Sequence, residues 1–112
     1  TVAAVVNKAG DKGAAIQFNV QQLPVLTMWK NTDTLKQGYV TGIEPGTSYA
    51  YPVTIERQQK RVKQLAPGQS VHFDLTYTLL HNASQVAKVK QDIAAIQGNK
   101  KVEEVATPMA KE

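Results

Sequence analysis

The sequence predicts a mainly β fold, an antiparallel sandwich followed by one C-terminal α-helix, on three observations. Ala14, Ile16, Phe18 and Val20, and later Val71, Phe73, Leu75, Tyr77 and Leu79, alternate with polar neighbours at the two-residue period of a strand. Clusters of Gly, Pro, Asn and Asp punctuate the chain up to His81 at the spacing of short meandering strands. From Asn82 the period changes, with Val86, Val89, Ile93 and Ile96 recurring at steps of three and four.

In chain order, Val2 to Asn7 is an apolar, β-branched run, and Ala9-Gly10-Asp11-Lys12-Gly13 supplies a hairpin turn. The return strand puts Ala14, Ile16, Phe18 and Val20 on a core face and Gln17 and Asn19 in water. Pro24 has no N–H for a ladder, so a new strand begins at Val25 and runs to Trp29. A polar loop reaches Gly38, and Tyr39 to Ile43 is a short fourth strand. Pro45 to Pro52 reads as loop, and Val53-Thr54-Ile55 resumes extended structure into a basic segment. Ala66-Pro67-Gly68-Gln69 is a turn before the long alternating strand, whose other face carries His72, Asp74, Thr76 and Thr78. Six or seven strands result. Asn82 or Ser84 caps the helix over 82–98 and Gly98 stops it. Its mildly basic polar face suits packing on the sheet rather than a membrane surface. The organisation is a sandwich portion over 1–81, the helix, and a flexible tail over 99–112 whose small and charged residues bury little.

Composition narrows the function classes. At 112 residues there is room for one domain, and 42% hydrophobic with 20% charged residues argues against both disorder and a membrane protein. The absence of cysteine removes disulfides, thiolate metal sites and cysteine nucleophiles, and is compatible with the bacterial cytoplasm or periplasm. No secretory leader pattern opens the chain, and its start at Thr1 without a Met predicts that residues once preceded it. Most of the +4 formal charge lies in Glu56 to Lys63, where Arg57, Lys60, Arg61 and Lys63 stand against Glu56 alone. Without interleaved aromatics or a reading helix, that segment does not read as a nucleic-acid site. His72 and Asp74 lack the third and fourth ligands of a zinc centre, so no metal is expected. No phosphate-binding glycine loop or Ser-His-Asp order is present.

The densest stretch is Gly42-Ile43-Glu44-Pro45, where a carboxylate ends an apolar strand and Pro45 holds the preceding residue extended. On residue chemistry alone Glu44 is either a directed base or a solvated glutamate at a turn. Leu23-Pro24-Val25-Leu26-Thr27-Met28-Trp29-Lys30-Asn31, Gly38-Tyr39-Val40-Thr41-Gly42-Ile43-Glu44-Pro45-Gly46-Thr47 and Leu65-Ala66-Pro67-Gly68-Gln69 resemble the C-terminal part of aldose 1-epimerase-like proteins. The match is to the DUF4432 branch of the galactose mutarotase-like superfamily, over residues 14 to 80.

The resemblance implies that this chain supplies the last strands of a β-supersandwich more than twice as long. It also implies a cofactor-free reaction in which a late-strand glutamate takes the anomeric hydroxyl proton while a histidine protonates the ring oxygen. Glu44 matches that glutamate by position. The histidine lies upstream in the family, and neither His72 nor His81 matches it.

Candidate sugar contacts are Trp29 as a stacking face, Lys30 beside it, Tyr49 in the loop after Glu44, and Arg57 with Arg61, four apart on one strand face, for an anionic group. Each has a plainer alternative: Trp29 and the tyrosines as packing, the arginines as a charged edge. The expected ligand is a sugar, with neither nucleic acid nor membrane as partner. Sheet edges left open at Thr1 would pair with preceding strands or with a second copy. A non-catalytic carbohydrate-binding or structural sandwich module is the alternative reading.

Overall fold

The computed structural model describes residues 1–105. Among the described residues there are five strands and two helices: β1 (Val2–Val6), β2 (Gly13–Phe18), β3 (Val25–Lys30), β4 (Thr41–Gly46), α1 (Val53–Gln58), β5 (Leu75–Leu80) and α2 (Ala83–Gln97), with a 3-10 turn at Leu35–Gln37. They make a three-stranded antiparallel sheet in the order β1-β2-β5 and a separate β3-β4 hairpin. The fold is mainly β and antiparallel, with one principal helix at its C-terminal end. Residues 99–105 form no helix or strand, and the rest of the expected tail, 106–112, lies outside the described residues.

Register explains the layers. Ala3, Ile16 and Tyr77 are cross-strand partners, as are Ala4, Ala15 and Thr78, so the two rows face opposite sides of the sheet. One side carries Ala15 and Leu80 against Val86 and Val89 of α2, with Val2 and Ala4 at the margin. The other carries Ile16 and Phe18 against Leu23, Ile43 and Phe73, which seats the hairpin on the sheet. The central strand β2 is therefore buried on both faces. Ile16 is 1% exposed, and Ala15, on the same row as the exposed Gln17, is covered by the helix.

Local chemistry fixes the connections. Asn7 accepts from the amides of Asp11 (3.1 Å) and Lys12 (3.2 Å), and Gly10 takes φ 73°, closing the β1-β2 turn. Asn82 accepts from the Gln85 amide at 3.0 Å, and Gln85 Oε1 accepts from the His81 amide at 2.7 Å, a reciprocal cap at the start of α2. Gly98, with φ 56°, ends that helix.

Four expectations are corrected. Val53-Thr54-Ile55 begins α1 rather than a strand: Pro52 stands before its first turn, and the amides of Ile55 and Glu56 donate to the Pro52 carbonyl. Arg57 and Arg61 therefore share no strand face, since Arg57 lies in α1 and Arg61 beyond its end. The fourth strand runs on through Glu44, Pro45 and Gly46, because β4 is an edge strand where proline costs no ladder bond. The last strand starts at Leu75, with Val71 and Phe73 before it, and the side of β5 bearing Tyr77 (75% exposed) and Leu79 (67%) is open. The covered side is that of Leu80, where α2 returns.

Candidate active site

The β3-β4 hairpin places the principal candidates. Cross-strand pairs run Val25 to Gly46, Leu26 to Pro45, Thr27 to Glu44, Met28 to Ile43, Trp29 to Gly42 and Lys30 to Thr41. Paired residues share a face and successive ones alternate. Ile43 turns into the core, so Glu44, Gly42, Thr27 and Trp29 take the outward face. Trp29 is 51% exposed and Glu44 is exposed. An indole and a carboxylate thus stand diagonally across one open face, with a glycine opposite the indole.

That glycine makes room for the carboxylate. Glu44 folds back along its own strand until Oε1 occupies the space where a side chain at position 42 would begin, and its Cδ and Cγ lie 3.2 and 3.3 Å from that point. Any residue but glycine would displace it. The strand is held in place by its ladder to β3 and by the Thr41 hydroxyl, which donates to the Trp29 carbonyl at 2.7 Å. The carboxylate sits on a fixed backbone, on the same face of the hairpin as the exposed Trp29.

Lys30 does not join them. It pairs with Thr41 and alternates to the face opposite Trp29. Tyr49 and Arg57 belong to the segment around α1. There Glu56, only 2% exposed, receives Arg61 through both oxygens: Nε donates to Oε2 at 2.9 Å and Nη2 to Oε1 at 2.7 Å. The Tyr49 amide donates to the same Oε2 at 3.1 Å, and the Arg61 guanidinium lies 4.9 Å from the centre of the Tyr49 ring. Tyr51 stands 6.1 Å from Tyr49, ring to ring. Hydrogen bonding from Arg61 leads the causes that hold Glu56 below the ordinary carboxylate range, against desolvation, which opposes it. The Tyr49 backbone and the Arg61 guanidinium are thus committed to this cluster. Arg57 is exposed in the last turn of α1 and, among the described residues, enters no ion pair.

His72 and Asp74 form an exposed pair, Nε2 to Oδ1 at 2.9 Å, and Gln22 donates to Asp74 at 3.2 Å. Gln22 and then His72 hold Asp74 below its ordinary range. His81 lies beyond the end of β5. Neither histidine is on the hairpin.

A family model described as a domain of unknown function, DUF4432, matches residues 1–79. The chain belongs to the DUF4432 family. It is also similar to a crystal structure of a candidate aldose 1-epimerase from Klebsiella pneumoniae, with 77% identity and a TM-score of 0.92 over 99% of this chain. The chain spans 29% of that protein's length. A comparison with curated proteins finds no match.

Three positions in this DUF4432 chain matter to the arrangement and stand out little in the sequence pattern. Gly42 carries a signal only through its spacing, since a small residue two positions before a carboxylate on one strand face marks close approach. Glu56 stands in the sequence as one acid beside Arg57, Lys60, Arg61 and Lys63, and its burial follows from the helical path that brings Arg61 back to it. Lys60 has φ 57°, a conformation that a strand reading conceals.

Proposed function

We propose that the β3-β4 hairpin carries the general base of a sugar-epimerising enzyme of the aldose 1-epimerase type, with Glu44 as the base. The observation that carries this reading is the open face on which Glu44, folded over Gly42, lies diagonally from the exposed ring of Trp29. An aromatic face takes the C–H side of a pyranose, and a carboxylate beside it reaches a hydroxyl at the ring margin. The similarity to a candidate aldose 1-epimerase supports the same assignment.

In this scheme Glu44 accepts the proton of the anomeric hydroxyl. The electron pair of that O–H bond forms the C1 carbonyl as the bond from C1 to the ring oxygen breaks, and the ring oxygen takes a proton from an acid supplied by the longer protein. Rotation about the bond between C1 and C2, followed by the reverse transfers, closes the ring with the opposite configuration at C1. Glu44 ends as it began, and no redox partner is involved. Trp29 orients the ring. Tyr49 and Arg57 are proposed contacts at the sugar's periphery, and Lys30, on the opposite face of the hairpin, takes no part.

The test is mutarotation by the full-length protein, followed by polarimetry or anomer-resolved NMR. Glu44→Gln keeps the shape and removes the base, so the catalysed rate falls about 10²- to 10⁴-fold with folding preserved. An unchanged rate removes Glu44 from the mechanism. Sugar binding without catalysis in the parent protein favours a non-catalytic binding module instead.

A further inference from the structure

The strand β1 has the composition of a strand from inside a sheet. It reads Val-Ala-Ala-Val-Val, apolar on both faces, a run that fits cover on two sides rather than one. Yet in the order β1-β2-β5 it stands at the margin, with no strand on its outer side among the described residues. Edges that face water are guarded by charges, prolines or bulges. β1 has no charged residue and no proline, and its pairing with β2 runs unbroken from Val2 to Val6. The other margin differs: β5 alternates Thr with Leu and Tyr and is exposed up to Leu79, as a half-wet edge strand should be.

Register shows which backbone groups are left over. Thr1 and Phe18 exchange both of their bonds, the Thr1 amino group donating to the Phe18 carbonyl at 2.8 Å and the Phe18 amide to the Thr1 carbonyl at 3.1 Å. In an antiparallel pair such residues alternate with residues whose backbone groups point away from the partner. The amides and carbonyls of Ala3 and Val5 therefore join β2, and those of Val2, Ala4 and Val6 point off the outer edge. The Asn7 amide, which donates to the Lys12 carbonyl at 2.9 Å, keeps the same alternation. A row of donors and acceptors on an extended, apolar strand is satisfied as a set by another strand.

The helix α2 reaches over that outer position. It rests closest to β1, with Val2 and Ala4 at its contact, and leaves on its β5 side a cleft of about 180 Å³ between Gln17 and Thr78 of the sheet and Gln85, Lys88 and Asp92 of the helix. It is thus off-centre on the three strands, toward the edge of β1. A helix is about 10–12 Å wide with its side chains and strands lie about 4.8 Å apart, so a helix seated at β1 also roofs the next strand position. The chain spans 29% of the candidate aldose 1-epimerase it resembles, which leaves ample chain to fill that position. We propose that β1 is an interior strand of the longer protein, paired along Val2, Ala4 and Val6 with a further strand of the same polypeptide that lies beneath α2. A second copy fits less well, because two-fold antiparallel pairing of β1 with itself would put both α2 helices on one face, each over the strand that the other covers. The inference does not depend on the role of Glu44.

The experiment is amide hydrogen exchange on the full-length protein, resolved residue by residue. Val2, Ala4 and Val6 should exchange as slowly as Ala3 and Val5, within about tenfold. Alternation, with Val2, Ala4 and Val6 faster than their neighbours by on the order of 100-fold or more, is the signature of a free edge and overturns the inference. Proline gives a second reading. Ala4→Pro should lower the Tm of the full-length protein as much as Ala3→Pro does, since each removes an amide from a ladder; a Tm for Ala4→Pro near that of the parent, with Ala3→Pro destabilised, overturns the inference. Where neither variant folds, exchange in the parent decides. Repeating the exchange on dilution separates the occupants: protection of Val2, Ala4 and Val6 that persists in a monomer assigns the edge to the same polypeptide, and protection lost together with a dimeric mass in light scattering assigns it to a second copy and overturns the proposal.

Discussion

Replacing Gly42 with alanine separates the geometry of Glu44 from its mere presence. A Cβ at position 42 would overlap Oε1 of Glu44 and stand 3.2 Å from Cδ and 3.3 Å from Cγ, inside the 3.5–4.0 Å of ordinary carbon contacts. The atoms it meets belong to the far half of a flexible side chain, so the strain is relieved by rotating Glu44 away and not by moving β4. Holding a side chain off its rotamer costs about 0.5–1.5 kcal/mol. Alanine in place of glycine inside a strand returns about 0.5–1 kcal/mol. The two nearly cancel, and folding stability should change by less than about 1 kcal/mol. Catalysis should respond far more, because a reacting group displaced by about 1 Å can lose about 100-fold in rate. Differential scanning calorimetry and mutarotation kinetics on the same full-length preparations read both quantities. Gly42→Ala should melt near the parent temperature with kcat/KM lowered about 100-fold, and in the double variant with Glu44→Gln it should add almost nothing. Full activity at an unchanged Tm would refute the reasoning, since the Glu44 conformer over Gly42 would then not be the working one.

The packing and the buried ion pair give two further tests. Ile16, 1% exposed between Phe18, Leu23 and the hairpin's Ile43, should cost about 2–5 kcal/mol when cut to alanine in urea denaturation, and a loss under ~1 kcal/mol would mean that the sheet-hairpin contact collapses to fill the space. Glu56, held below its ordinary range chiefly by its hydrogen bonds from Arg61, contributes stability that is fully present above that range and is lost as pH falls through its lowered folded value. The Tm of the parent should therefore drop more steeply on acidification than that of Glu56→Gln, with the gap between the two widest near neutral pH. Parallel curves would show that the pair does not contribute in this way.

Much of the architecture could be read from periodicity. The hairpin of β1 and β2, the break at Pro24, the start of β3 and the span Ala83–Gln97 of α2 follow from turn chemistry, proline and capping residues that act within a few positions. The face that unites Trp29 with Glu44 could not be read this way, because register between β3 and β4 is set by how the connection from Asn31 to Val40 folds. Asn31 fastens that connection by donating to the Gly38 carbonyl at 3.2 Å and to the Val40 carbonyl at 3.3 Å. A slip of one residue would have put Trp29 on the core side and Lys30 beside the carboxylate.

Two misreadings share one physical cause, namely that a local pattern shows a face or a propensity but not what covers it. Alternation in Leu75, Tyr77 and Leu79 identifies an apolar row on β5, yet the short link from Leu80 to Ala83 turns α2 back onto the opposite row, so Leu80 is buried and Tyr77 is not. Val53, Thr54 and Ile55 have strand propensity, which is weak evidence once tertiary bonds compete. A helix at 53–58 lets Glu56 meet both the Tyr49 amide and the Arg61 guanidinium, bonds that an extended path through the same residues would separate. The helical path also creates the left-handed position filled by Lys60. The local propensity lost at Val53 to Ile55 and the strain accepted at Lys60 thus belong to one arrangement, in which a buried carboxylate fixes Arg61 through both of its oxygens.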